Sequence, residues 1–148
     1  MLAARQYRRI VSASAWYDLI ATIGFMTPWT FALLYGALQQ LAQGLGLPGE
    51  FPPATSMSML MANLMGSVVT VWALLRIGDP QIRFGRYDAA ARFLFAIWQV
   101  YAVAHGASAV VLAFTVVEIG FGIAQSLPVR DAQDAPAGAS ERRNFSAS

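Results

Sequence analysis

The chain has 148 residues, of which 57% are hydrophobic and only 12% are charged. That length allows one domain, and the low charge indicates a membrane protein, because soluble domains usually carry about 25% charged residues. There is no cysteine and only one histidine, which excludes disulfides and argues against a structural zinc site. The formal net charge of +2 does not favour nucleic-acid binding. We therefore expect no metal, no cofactor and no nucleic-acid partner.

Four apolar stretches have lengths near those of membrane spans. They cover residues 10–27, 56–77, 89–104 and 107–127, whereas a spanning helix needs roughly 17–25 residues. We predict an all-α fold in which these stretches form a four-helix transmembrane bundle.

Whether a fifth apolar segment, residues 31–46, crosses the membrane decides how the chain is threaded through it. If it does not span, the chain crosses four times and all ten arginines lie at or near one face. If it spans, the arginines divide between the two faces. The positive-inside rule favours the first arrangement. Both termini are then cytoplasmic: residues 1–9, and residues 128–148, a polar tail rich in small residues that we expect to be disordered.

The same segment has two chemically different sides. Its apolar residues recur at helical spacing, with the glutamines opposite, which predicts an extra amphipathic helix lying on the outer membrane surface. All the basic residues are arginine. Together with the Ala and Gly content, this suggests a GC-rich bacterial genome, so we place the protein in the bacterial inner membrane.

Each predicted span carries one polar stripe on an apolar body. Asp18 lies in the first span within AWYDLIA, and Glu118 lies in the fourth within VVEIGF. The helical rise of about 1.5 Å per residue places Asp18, Glu118 and Gln99 of the third span in one layer near the midplane. Polar groups that face hydrocarbon are costly. We therefore expect the stripes to turn inward and form one interior site.

The candidate ligand-binding residues of this midplane site are Asp18, Glu118, Gln99, Asn63 and Tyr17. Acids inside a membrane are by default functional candidates. The alternative is that they only hold helices together through hydrogen bonds. If Asp18 and Glu118 are neighbours, their like charges predict that the pair holds one proton between them.

Asp88 and Arg92 are spaced one helical turn apart at the start of the third span. This spacing predicts a structural ion pair on the cytoplasmic side. The sequence contains no H-E-x-x-H, G-x-S-x-G or P-loop motif.

The segments YDLIAT, MANLMGSVVTVWALLR and VVEIGFGIAQ resemble those of small bacterial four-helix membrane proteins, and the architecture is similar to that of the DoxX-like proteins. The resemblance covers about residues 15–127 and implies a fold, with no catalytic residue carried over. Small multidrug transporters also have four spans and a buried acid in the first. This chain departs from them by its outer surface helix and its second acid, Glu118.

The sequence favours a non-enzymatic membrane protein that binds a small or lipid-like ligand in its polar interior, or that acts as an accessory subunit. One alternative is an intramembrane enzyme on a lipid or quinone-like substrate, with Asp18 and Glu118 as acid and base. The other is a proton-coupled small-molecule transporter using the same pair. The expected partners are membrane lipids and either another membrane protein or a second copy of the chain.

Overall fold

The computed structural model describes residues 1–130, and the statements about structure below concern those residues. The chain is all-α, as predicted. Its five helices are α1 (Ala4–Thr22), α2 (Pro28–Gly44), α3 (Ser56–Gly78), α4 (Ile82–Ala104) and α5 (Val111–Ser126). A 3-10 turn, Ile23–Phe25, follows α1, and two short strands, β1 (Leu2–Ala3) and β2 (Val129–Arg130), pair in parallel.

The helix ends differ from the limits of the predicted spans. α1 begins at Ala4, within the predicted N-terminal segment 1–9, and α4 begins at Ile82, well before residue 89. The limits of an apolar stretch do not mark the ends of a helix, because charged residues such as Arg86 continue a helix equally well. Disorder from residue 128 onward is wrong for Val129–Arg130, which pair with β1. The rest of that predicted tail, residues 131–148, lies outside the described residues.

Helix α1 is the centre of the bundle. It packs against α3, α4 and α5, and α4 packs along α5. Within residues 1–130, α3 and α4 share no extended packing interface. They are joined near one end by side chains instead, where Trp72 Nε1 donates a hydrogen bond to Asp88 Oδ1 at 3.1 Å.

The two ends of the bundle differ in charge. One end holds the two strands and the α3–α4 connection. The described arginines outside the interior all belong to this end, which we call the arginine end: Arg5, Arg8, Arg9, Arg83, Arg86 and Arg130. The other end, the α2 end, holds α2 and the loops before α3 and α5. Those loops are joined by backbone hydrogen bonds from Glu50 N to Gly106 O at 2.9 Å and from Ser108 N to Glu50 O at 3.2 Å.

Helix α2 turns sharply away from α1. Thr27 is its N-cap, with the side chain accepting from Thr30 N at 3.3 Å, and Pro28 occupies its first turn. The axes of the two helices differ by 103°, so α2 lies across the end of the bundle. Tyr35 Oη donates to Pro52 O at 2.6 Å. Burial raises the pKa of Tyr35 above its ordinary value, which keeps the phenol protonated as a donor.

Among the described helices, α3 alone is long and apolar enough to cross a membrane by itself. The segment formed by α1 and its 3-10 turn is long and apolar enough only when it is taken together with α2, and the two helices are bent by 103° at their junction. α5 is apolar but has 16 residues, and charged side chains occupy the first half of α4. Only 17% of the apolar window of α3 is buried inside the protein. This helix therefore presents a wide apolar surface outward, through Leu60, Met61, Leu64, Val68 and Val71.

Candidate functional site

Arg92 lies in the interior and joins three helices. Its side chain is 2% exposed. Nη2 is 2.7 Å from Asp18 of α1, Nη1 donates to Glu118 Oε2 of α5 at 2.7 Å, and Nε donates to Asp88 Oδ2 of α4 at 2.9 Å. A planar guanidinium with five N–H donors suits such a role, because it can serve several carboxylates at once.

Arg76 brings α3 into the same group of charges. Its side chain is fully buried; Nη2 donates to Asp18 at 2.5 Å, and Nη1 lies 2.5 Å from Asp88 Oδ2. We refer to Asp18, Arg76, Asp88, Arg92 and Glu118 as the charge cluster. With every group ionised, its three carboxylates and two guanidinium groups carry a net charge of minus one.

A polar network closes the cluster toward the arginine end. Gln125 Nε2 donates to Ser14 Oγ at 2.7 Å and to Asp88 Oδ2 at 2.9 Å. The backbone oxygen of Gln125 accepts from Tyr7 Oη at 2.6 Å and from Arg86 Nη1 at 2.9 Å, so this carbonyl in the last turn of α5 has partners.

Toward the α2 end, the cluster borders an apolar chamber of about 470 Å³. Asp18 and Glu118 lie at its inner end, and Gln99 and Tyr17 also line it. Most of the wall is aromatic or aliphatic and includes Phe31, Tyr35, Met65, Phe95, Trp98 and Phe114. Small-molecule sites have this character, with volumes of about 300–1,000 Å³ and few polar groups.

A second cavity, of about 230 Å³, lies between α3 and α4 beside the cluster. Val69 of α3 and Phe95 of α4 line both cavities, as do Asp18 and Glu118. The gap between α3 and α4 is therefore occupied by two adjoining cavities with the same carboxylates at their junction.

One carboxylate oxygen of Glu118 has no hydrogen-bond donor within residues 1–130, and the residue lines both cavities. Oε2 accepts from Arg92 Nη1 at 2.7 Å, and within residues 1–130 Oε1 accepts no hydrogen bond and is accessible rather than fully buried. The residue is 7% exposed and lines both cavities, so the small accessible part of its side chain faces them. Because this oxygen is accessible and a carboxylate oxygen is a hydrogen-bond acceptor, it is a candidate acceptor for a molecule in the chamber.

The structure brings Asp18 and Glu118 together on one arginine. Arg92 hydrogen-bonds both carboxylates, and the expectation of one shared proton stays a prediction. The predicted Asp88–Arg92 pair forms at 2.9 Å. It is not a separate pair, because both residues also belong to the charge cluster; its position on the cytoplasmic side stays a prediction.

The other three candidate residues have different environments. Gln99 lines the chamber, and its Oε1 accepts from Thr115 Oγ1 at 2.8 Å. Tyr17 also lines the chamber. Asn63 lines neither the chamber nor the second cavity; its Nδ2 donates to Phe25 O at 2.7 Å. Asn63 thus provides a hydrogen-bond donor for the carbonyl group at the end of the 3-10 turn.

Sequence reasoning missed the interior position of Arg76. It was counted as a flanking arginine because it is near the end of the second predicted span. Its spacing from Gly66, Thr70 and Ala73 places it on the buried face of α3. The two predicted interior acids, Asp18 and Glu118, lack a predicted interior cation, and this is the signal that could have identified it.

No family model, curated protein or solved structure matches this chain. Within residues 1–130, no group of three or more His, Asp or Glu side chains is arranged to hold a metal ion. In the cluster, the two arginines contact the carboxylates directly. The cluster and the chamber together are therefore the candidate functional site.

Proposed function

We propose that the chain is an inner-membrane protein of a bacterium in which α1, α3, α4 and α5 cross the bilayer. Charge placement supports this. Arg76 and Arg92 are paired inside, and the other described arginines belong to the arginine end, which would be the cytoplasmic face. Large apolar side chains lie exposed on the outward helix faces, for example Ile20, Val71, Ile97 and Val116. Lipid would cover this surface.

Within this bundle, the chamber binds a small lipid-like molecule. The observation that carries this proposal is the apolar chamber of about 470 Å³ with Asp18 and Glu118 at one end. An amphiphile would place its apolar part among the aromatic side chains and its polar end at Glu118 Oε1. Hydrogen bonds from Arg92 hold both carboxylates in place, so the polar end of the site is preorganised.

The catalytic and transport alternatives have less support. Both require Asp18 or Glu118 to take up and release protons, and each uptake would break an ion pair with Arg92 that the structure shows formed. An accessory role, with another membrane protein or a second copy as partner, has no specific observation in its favour. The DoxX-like architecture stays a prediction from the sequence.

A pair of variants tests the proposed chamber. Ala102→Trp places a large side chain on a residue that lines the chamber, whereas Val100→Trp changes a half-exposed residue of the same helix that does not line it. Each protein is purified from membranes, and mass spectrometry compares its extracted small molecules with bulk membrane lipid. We expect one enriched lipid-like compound with wild type and Val100→Trp, and its loss with Ala102→Trp. Equal extracts from all three folded proteins would contradict the proposal.

A further inference from the structure

We propose that the molecule bound in the chamber is an amphiphilic cation, with an ammonium-type head at Glu118 and Asp18 and an alkyl chain directed toward the α2 end. This inference rests on the proposed function, that the chamber binds a lipid-like molecule, and adds the chemical class of its head group.

Charge balance favours a cationic head group. The cluster holds three carboxylates but only two guanidinium groups, and its members are almost completely buried. Burying an uncompensated charge is costly, whereas a paired charge with hydrogen bonds is tolerated. One monovalent cation at the inner end of the chamber would complete the balance.

The direction of the hydrogen bonds also favours a cationic head group. Arg92 directs Nη1 to Glu118, Nη2 to Asp18 and Nε to Asp88, and it does not line the chamber. The guanidinium is therefore not placed to bind an anionic or carbonyl head group there. By contrast, Glu118 lines the chamber, and its Oε1 is an accessible acceptor that accepts no hydrogen bond within residues 1–130. A head group that donates hydrogen bonds fits this inner end better than one that accepts them.

The wall beside the carboxylates is aromatic. The rings of Phe95 and Phe114 line the chamber together with Asp18 and Glu118, whereas the ring of Tyr17 already has the Arg92 guanidinium over it, 6.0 Å from its centroid. Aromatic faces attract cations, and the attraction grows when water is excluded. The same apolar wall accommodates an alkyl chain. The carboxylates and the aromatic rings of the chamber together therefore favour a cation that carries an alkyl chain.

Three probes with the same chain and different heads test the proposal: dodecylammonium, dodecanol and dodecanoate. The full chain is reconstituted in phosphatidylcholine nanodiscs, and binding is measured by equilibrium dialysis against empty nanodiscs. We expect saturable binding of dodecylammonium at least about tenfold tighter than that of dodecanol, the difference expected from one charge-assisted hydrogen bond. We expect no saturable binding of dodecanoate.

Two variants locate the head group. Glu118→Gln removes the negative charge at the chamber, and Glu50→Gln removes one from an exposed residue at the α2 end, so both change the net charge equally. We expect Glu118→Gln to weaken dodecylammonium binding about tenfold and leave dodecanol binding unchanged. Glu50→Gln should bind all three probes as wild type does. Equal weakening in both variants would overturn the direct contact.

The outcomes separate the two proposals. If none of the three probes binds wild type saturably, the chamber is not a lipid-like site and the proposed function fails. If dodecanol or dodecanoate binds as tightly as dodecylammonium, the chamber is a site but the cationic head is wrong. The wild-type series gives this answer even if Glu118→Gln does not fold.

Discussion

Arg92 has a side chain that is 2% exposed and nitrogens within 2.9 Å of three carboxylates, those of Asp18, Asp88 and Glu118. Truncating one partner of a buried ion pair is expensive, since the remaining charges stay buried without compensation. Arg83 is on the same helix but exposed. The two arginines therefore have the same charge and lie on the same helix, but one is buried and the other is exposed.

We expect Arg92→Met to lower the free energy of unfolding by about 3–5 kcal/mol. The matched change Arg83→Met should alter it by no more than about 0.5 kcal/mol, as for most surface substitutions. Both are measured by denaturant titration in mixed micelles, followed by far-UV circular dichroism. Equal and small effects of the two changes would show that the cluster contributes nothing to stability.

At the scale of single helices, local signals predicted some limits well and others poorly. α3 begins at Ser56 as predicted, because Thr55 and Ser58 form a capping box, with Ser58 N donating to Thr55 Oγ1 at 3.1 Å. The helical rise per residue was enough to predict that Asp18 and Glu118 lie in one layer. The rotation of each helix about its axis does not follow from spacing, so the interior position of Arg76 was missed.

Packing of α3 against the 3-10 turn depends on Gly66. A Cβ at this position would come within 2.7 Å of the carbonyl carbon of Phe25, a backbone atom that cannot move aside easily. One turn earlier, Asn63 bonds the oxygen of the same residue. The two contacts fix the position along α3 at which the end of the 3-10 turn packs.

We expect Gly66→Ala to destabilise the fold by about 1–3 kcal/mol through overpacking. Gly120→Ala in α5 is the control, because a Cβ there meets no atom within 4 Å. It should be neutral or stabilising by up to about 1 kcal/mol. Unfolding midpoints of the two variants under identical conditions are compared. A Gly66→Ala protein as stable as Gly120→Ala would mean that α3 does not approach the turn this closely.

At the scale of the whole molecule, the central claim is the threading of the bundle through a membrane. Glu50 lies at the α2 end and Asp79 at the arginine end, and both are exposed. If α1, α3, α4 and α5 span the bilayer, these residues face opposite compartments. The chain contains no cysteine, so one introduced at either position is a unique label.

The most direct test is maleimide labelling of Glu50→Cys and Asp79→Cys in intact spheroplasts, using a reagent that does not cross the inner membrane. The account predicts that Glu50→Cys is labelled at once and that Asp79→Cys is labelled only after permeabilisation. Labelling of Asp79→Cys from outside, or equal labelling of both positions before permeabilisation, would contradict the four-span arrangement.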